Sequence, residues 1–197
     1  MKTPGITAFH TLLYFLKIHE AHTQTTQKER EALSKYSSGK KKAVEIGVYE
    51  GVNTRIIAQH LDSQGVLYAV DPFFRGRIGI CWNEFIARGE IRRGKVKNVV
   101  QFVHATSHEA TQTLKGQFDF IFIDADHSYE GIKSDWEDWS PRIEKEGIIA
   151  LHDTQVPDHD ASIAQLGSYR FFQEHIRQDA RFEILKQTDS LSILKRK

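Results

Sequence analysis

Two short stretches of this chain concentrate the groups that can move a proton or hold a cation. One is IDADHSYEG, with Asp124, Asp126 and His127; the other is LHD, with His152 and Asp153. A carboxylate or a neutral imidazole can take a proton from a hydroxyl, and imidazole titrates at about pH 6.5, where such work is done. The set Asp124, His152 and Asp153 also has the residue types of a divalent metal site. Its imidazole departs from the oxygen-only set that suits Mg²⁺, which leaves Mn²⁺, Fe²⁺ or Zn²⁺ as well as a metal-free site. His127 has a plainer role open to it, as a helix-start or packing residue.

A third stretch, EIGVYEGVNT at 45–54, points to a ligand rather than to proton transfer. Gly47 and Gly51 allow a sharp turn and a close backbone approach, and the helix that follows offers free N–H groups. Twenty residues after Gly51 comes Asp71, whose carboxylate can accept both hydroxyls of a ribose. A dinucleotide site calls for G-x-G-x-x-G, so that pyrophosphate rests on the helix N-terminus. The spacing here is E-x-G-x-x-x-G, and Glu45 would repel a diphosphate. A cationic ligand with an amino-acid end suits it better, and S-adenosylmethionine is one.

The elements that must position these residues alternate. Phe9, Leu12, Leu13 and Leu16 mark one face of a helix, and Thr26 with Glu29 has capping-box spacing before a second helix that Ser38-Gly39 stops. Strands are expected at 42–46, 66–70, 98–103, 118–123 and 147–151, and helices at 52–61, 82–90, 107–114 and 168–178. Ile132, Trp136, Trp139 and Ile143 share a further helical face. Two short strands around Thr188-Asp189-Ser190 read as a closing hairpin. This order implies an α/β, Rossmann-like, mostly parallel sheet with helices on both faces and an antiparallel C-terminal strand. Ligands of such sheets sit beyond the carboxyl ends of the strands. Those ends are where Gly47, Asp71, Asp124 and His152 fall.

Composition narrows the classes. With 197 residues, 27 Lys+Arg against 26 Asp+Glu, and 40% hydrophobic residues, the chain is one globular domain, neither disordered nor generally basic. Residues 1–40 form a helical extension, either a cap over the site or a homodimer seam. Residues 73–97 form a basic and aromatic insertion with seven Lys/Arg against Glu84 and Glu90. It is read first as a solvated basic face, with an anionic substrate or acidic partner as the competing reading. The lone Cys81 fits a reducing cytoplasm, no apolar run spans a bilayer, and the N-terminal stretch does not read as a secretion signal.

The segments EIGVYEGVNT, AVDPF and FDFIFIDADHSYEGIKSDWEDWSPRIEKEGIIALHDT together resemble class I S-adenosylmethionine-dependent methyltransferases. They are most similar to a small bacterial group related to O-methyltransferases of sugars, antibiotics and catechols. The resemblance is strong over residues 42–153. It implies that Glu45 and Gly47 border the methionine end of the cofactor, with Tyr49, Gly51 and Asn53 in the surrounding loop. It also implies that Asp71 holds the ribose, that Pro72 and Phe73 flank the adenine, and that Thr106 and Ser107 contact it. Ala105 stands where many relatives have glycine. Asp124 is expected beside the reactive methyl, with Asp126 or His127 as base and Asp124, His152 and Asp153 as the metal set. The implied acceptor is a small molecule or saccharide. An RNA methyltransferase is the second reading, although IDADH is not the Asn/Asp-Pro-Pro-aromatic segment used for base amino groups. A non-catalytic cofactor-binding or oligomeric module is the third.

Overall fold

The computed structural model describes residues 8–76 and 79–197; Arg77 of the basic insertion lies outside them. Seven strands alternate with helices: β1 (Lys42–Ile46), β2 (Val66–Val70), β3 (Val100–Val103), β4 (Phe118–Ile123), β5 (Ile143–Leu151), β6 (Phe182–Thr188) and β7 (Leu191–Arg196). They form one sheet in the order β3-β2-β1-β4-β5-β7-β6. The first five are parallel, and β7 runs antiparallel between β5 and β6. The helices are α1 (Ala8–Phe15), α2 (Gln27–Ser37), α3 (Val52–His60), α4 (Trp82–Arg93), α5 (Ser107–Thr113), α6 (Tyr129–Trp139) and α7 (Gly167–Glu174).

The strands read as near-continuous apolar runs because both faces of the sheet are covered. In β4, Phe120 and Phe122 join the layer under α2 and α3 with Leu33 and Ile57. Ile121 and Ile123 face the other layer, with Trp136, Trp139 and Phe172. The chain order reverses direction in the sheet between β1 and β4, which pair directly. That switch point opens the crevice into which the loops after β1, β4 and β5 lead.

Four expectations change. Ile143 opens β5 instead of closing the α6 face, because Pro141 within a short 3₁₀ turn at 140–142 ends the helix first. β3 starts at Val100, since the segment before it is a turn held by Val99 N–H donating to Val96 O. The last helix stops at Glu174, where His175 leaves helical geometry. The α1 face of Phe9, Leu12 and Leu16 points outward, these three being 67%, 55% and 58% exposed. α1 packs instead through Tyr14, whose hydroxyl donates to Glu90 of α4, and Gly89 leaves room for that ring. Among the described residues, no helix is long and apolar enough to cross a membrane.

Candidate active site

A cavity of about 1010 Å³ opens over the carboxyl ends of β1, β2, β4 and β5. Its wall joins the loop after β1 (Gly47 to Asn53) to Asp71, Pro72, Thr106 and Ser107 on one side, and to Asp124, Asp126, His127, His152 and Asp153 on the other. A third part is the N-terminal segment, which contributes His22, Thr23, Gln24, Thr26 and Glu29. Thus residues 22–29 of the extension wall the site.

The cofactor half is shaped by backbone. Gly47 has φ +90, and a Cβ there would lie 2.1 Å from the carbonyl oxygen of Asp124. Gly51 has φ +79, and its Cβ would meet Ala87 of α4 at 2.8 Å. Each therefore needs glycine for two reasons, the left-handed φ and the missing side chain. Tyr49, Phe73 and Asp153 also take positive φ, at 53, 45 and 53. These strained residues lie just beyond the ends of β1, β2 and β5, where backbone strain commonly marks a functional site.

Asp71 organises this half. Its Oδ2 accepts the Val48 and Tyr49 N–H groups at 3.0 and 3.3 Å, and its Oδ1 accepts the Phe73 N–H at 2.7 Å. The carboxylate ties the β1 and β2 turns together, and Oδ1 retains a further lone pair for a hydroxyl donor. Phe73 departs from expectation: it is 3% exposed and packs on Phe102 and His104, leaving Pro72 and Phe74 at the cavity. Asn53 accepts a hydrogen bond from the Thr25 hydroxyl at 2.9 Å, linking the loop to the N-terminal segment. Thr106 caps α5 through Glu109, and Ser107 Oγ accepts the Trp139 indole N–H at 2.9 Å.

Glu45 does not line the cavity. It is fully buried in β1 two residues before the Gly47 turn, and neither carboxylate oxygen has a hydrogen-bond partner. Burial pushes its carboxyl well above the usual carboxylate range; Thr54 opposes the shift, and nearby Asp124 and Asp71 add to it. Such a buried acid is accommodated in its neutral, protonated form.

The other half is a network of charges. His152, at 3% exposure, places Nδ1 3.1 Å from Asp124 Oδ1 and 3.3 Å from Asp153 Oδ1, while Nε2 lies 3.5 Å from Glu29 Oε2. Burial alone would lower the imidazole, yet Asp124, Glu29 and Asp153 overcome it and raise it well above its ordinary value. Burial would raise Asp124, but His152 and His127 hold it below its usual value. Burial likewise acts upward on Glu29, and contacts with His152, Ser190 and Thr26 outweigh it and bring the carboxyl to about 2. Glu29 Oε1 accepts both the N–H and the hydroxyl of Ser190, each at 2.7 Å. α2 is thereby pinned to the β6–β7 turn and to the site at once.

His127 sits at the cavity surface between two carboxylates. Its Nδ1 lies 3.5 Å from Asp153 Oδ2 and its Nε2 lies 3.9 Å from Asp124 Oδ1. Its loop is fixed from α7, where the Ser168 N–H donates to the His127 carbonyl and the Ser168 hydroxyl to that of Asp153. Asp126 differs. It accepts the Ser128 N–H and hydroxyl at 2.9 Å each, and its side chain closes against Gly131, so it shapes the start of α6. Another cavity acid, Asp135, is raised to about 6, chiefly by burial and further by Asp138 and Asp126 against Ser107.

The donors expected for a metal are brought together as ion pairs. One nitrogen, His152 Nδ1, faces both Asp124 and Asp153. Among the described residues, the metal-type group whose ligand atoms all lie within 4.8 Å of one another is a different one, His10, His22 and Glu50. Asp124, His152 and Asp153 do not meet that spacing as they are arranged.

Sequence reasoning passed over Glu29 and His22. Glu29 does complete the capping box expected of it. The same carboxylate also serves a contact 161 residues away, which periodicity cannot register.

A family model described as a methyltransferase domain matches residues 44–154, more than half of the chain, including the cavity residues from the β1 loop to the end of β5. The chain belongs to this methyltransferase family. An O-methyltransferase from Bacillus cereus in complex with SAH shares the fold, with TM-score 0.69 and 21% identity over 95% of this chain and 90% of that one. So does the O-methyltransferase TomG from Streptomyces achromogenes, involved in tomaymycin synthesis and solved with SAM. Its TM-score is 0.67, with 14% identity over 93% of this chain and 85% of that one. An uncharacterized protein of Sinorhizobium fredii is 32% identical over 47 residues, 24% of this chain but only 5% of that protein. The methyltransferase family thus rests on the domain match, and the sheet order agrees with it.

Proposed function

We propose that this methyltransferase transfers a methyl group from S-adenosylmethionine to a hydroxyl of a small acceptor. The observation that carries the reading is His127, exposed to the cavity and bracketed by Asp153 and Asp124 opposite the Gly47–Gly51 loop. The family supports methyl transfer, and two fold neighbours carrying SAM or its product in their own sites support the cofactor. When bound, S-adenosylmethionine supplies an electrophilic methyl on a sulfonium centre.

The chain's own groups fit that ligand. Gly47 and Gly51 keep the β1 loop free of side chains where the cofactor must approach. Asp71 offers the remaining lone pair of its Oδ1 to a ribose hydroxyl. Asp153 faces His127 Nδ1, which leaves Nε2 as the atom that accepts the acceptor's hydroxyl proton. Loss of that proton would leave the acceptor oxygen able to take the methyl that bound S-adenosylmethionine supplies, the electron pair of the broken methyl–sulfur bond staying on sulfur. His152, held charged by Asp124, Asp153 and Glu29, keeps Asp124 ionised beside the reaction, where it stabilises the imidazolium that His127 becomes. Asp126 is too committed to the α6 turn to share the base role.

The acceptor is a small hydroxylated molecule, of which catechols and free sugars are the classes to try. The test is transfer of a radiolabelled methyl from S-adenosylmethionine to a panel of both. Labelled methyl ether that disappears in His127→Ala supports the reading. Transfer only to nitrogen of RNA, or undiminished ether formation in His127→Ala, contradicts it.

A further inference from the structure

A second cluster of ligating side chains is built from α1, the segment that follows it and the loop after β1. Glu50, fully buried, follows Tyr49 in that loop, and it is met by His10 of α1 and His22. His10 Nε2 lies 3.3 Å from Glu50 Oε2, and His22 Nδ1 lies 3.5 Å from Glu50 Oε1. The two imidazoles stack with ring centres 4.0 Å apart and planes 10° from parallel. Glu50 Oε1 is buried without a hydrogen bond, a costly state for a carboxylate oxygen.

We propose that His10, His22 and Glu50 bind a divalent transition metal of the zinc class, which fastens the N-terminal segment over the cofactor loop. Three observations converge on it. The donor set is two imidazoles and one carboxylate, a recurrent zinc set, and imidazole disfavours Mg²⁺ and Ca²⁺. One donor atom from each of the three residues lies within 4.8 Å of the other two, compared with about 3.4 Å between neighbouring ligands on a tetrahedral ion with arms of about 2.1 Å, and the half-exposed His22 ring would turn out of its stack with His10 to aim its lone pair at the same ion. An outer partner is in place, since His10 Nδ1 lies 3.4 Å from His19 Nδ1. A bound cation would also satisfy the orphaned Glu50 oxygen.

The position gives the ion a role distinct from chemistry. Glu50 lies between Tyr49 and Gly51, whose backbone shapes the cofactor half, and His22 belongs to the segment that walls the cavity. The metal would join two pieces otherwise held by the Thr25–Asn53 hydrogen bond, the His22 N–H on Glu50 and the contacts of α1. Release of the ion would loosen the wall on this side.

Zn²⁺ titration with a chromophoric competitor, and Co²⁺ absorption in the visible range, test the assignment on the full chain. His22 is half exposed, so His22→Ala should fold, and a cooperative melt in chelator confirms that it does. The expected result is one equivalent of Zn²⁺ on the wild type and on Asp124→Asn, a tetrahedral Co²⁺ band, and affinity at least about tenfold weaker in His22→Ala. Wild type that binds no Zn²⁺, His22→Ala that binds it equally well, or loss confined to Asp124→Asn would each overturn it.

Discussion

The two halves of the cavity are built on different principles. The cofactor half is a set of turns: two glycines at positive φ, strained Tyr49 and Phe73, and one carboxylate that ties three backbone N–H groups. The acceptor half is a set of side chains from distant segments, with buried His152 at the centre of Asp124, Asp153 and Glu29. A site made of backbone tolerates change wherever glycine and the turn survive. A site made of charges fails when any member is left unpaired in a dry interior.

The comparison breaks most visibly at His127. His127→Ala should reduce methyl transfer by at least about 100-fold, the usual scale for a general base, while calorimetry finds SAH affinity within about threefold of wild type. An equal fall in both would erase the division between the halves. Asp124→Ala should lose turnover in the same way, because His152 and His127 then lack their common partner.

Glu29 carries the next effect, on stability. Its carboxyl is held at about 2 against an ordinary 4.5, so its contribution is present above the ordinary value and is lost as pH falls toward 2. His152 is shifted the other way: its share is complete below its ordinary 6.5 and disappears as pH rises through the raised value. Urea unfolding should show Glu29→Gln weaker than wild type by about 3 kcal/mol at pH 7, the cost of breaking a buried pair. The difference should shrink below pH 4. A constant difference across pH would show that packing, not charge, is at work.

Asp71→Ala should weaken S-adenosylmethionine binding by about tenfold, since a hydrogen bond to a charged group contributes about 1.5 kcal/mol or more. Both turns should loosen as well, which hydrogen exchange at Val48, Tyr49 and Phe73 would report. Asp135 gives a smaller effect of opposite sign. Its carboxyl, raised to about 6, costs stability when ionised, so Asp135→Asn should raise the melting temperature at pH 8 and change it little at pH 4. In His22→Ala, which lacks the second cluster, removal of divalent ions by EDTA should leave the rate of methyl transfer unchanged. Loss of turnover with rescue by Mn²⁺ or Fe²⁺ would restore a metal to the strand ends.

The sequence was legible where local rules decide. The five parallel strands were readable from apolar runs that end in Gly47, Asp71, Asp124 and His152, and the sheet brings these ends to one cavity. The capping box Thr26–Glu29 follows from spacing alone. Phe73 was not readable, because which of two neighbouring aromatics turns inward depends on a positive φ set by Asp71. Asp126 looked catalytic by type but is consumed by Ser128 of its own turn. The exposed α1 face shows the limit of periodicity: Phe9, Leu12 and Leu16 describe an apolar stripe, while packing selects Tyr14 through Gly89 and Glu90. Glu29 shows the same limit in reverse, since a capping residue can also be a long-range partner.

The central claim is that the turn-built half of the cavity holds S-adenosylmethionine. Isothermal titration of the wild-type chain with S-adenosylmethionine and, separately, with NAD tests it most directly. Saturable one-to-one binding of S-adenosylmethionine is expected, with no comparable heat from NAD. Tight binding of NAD with no signal from S-adenosylmethionine would contradict it.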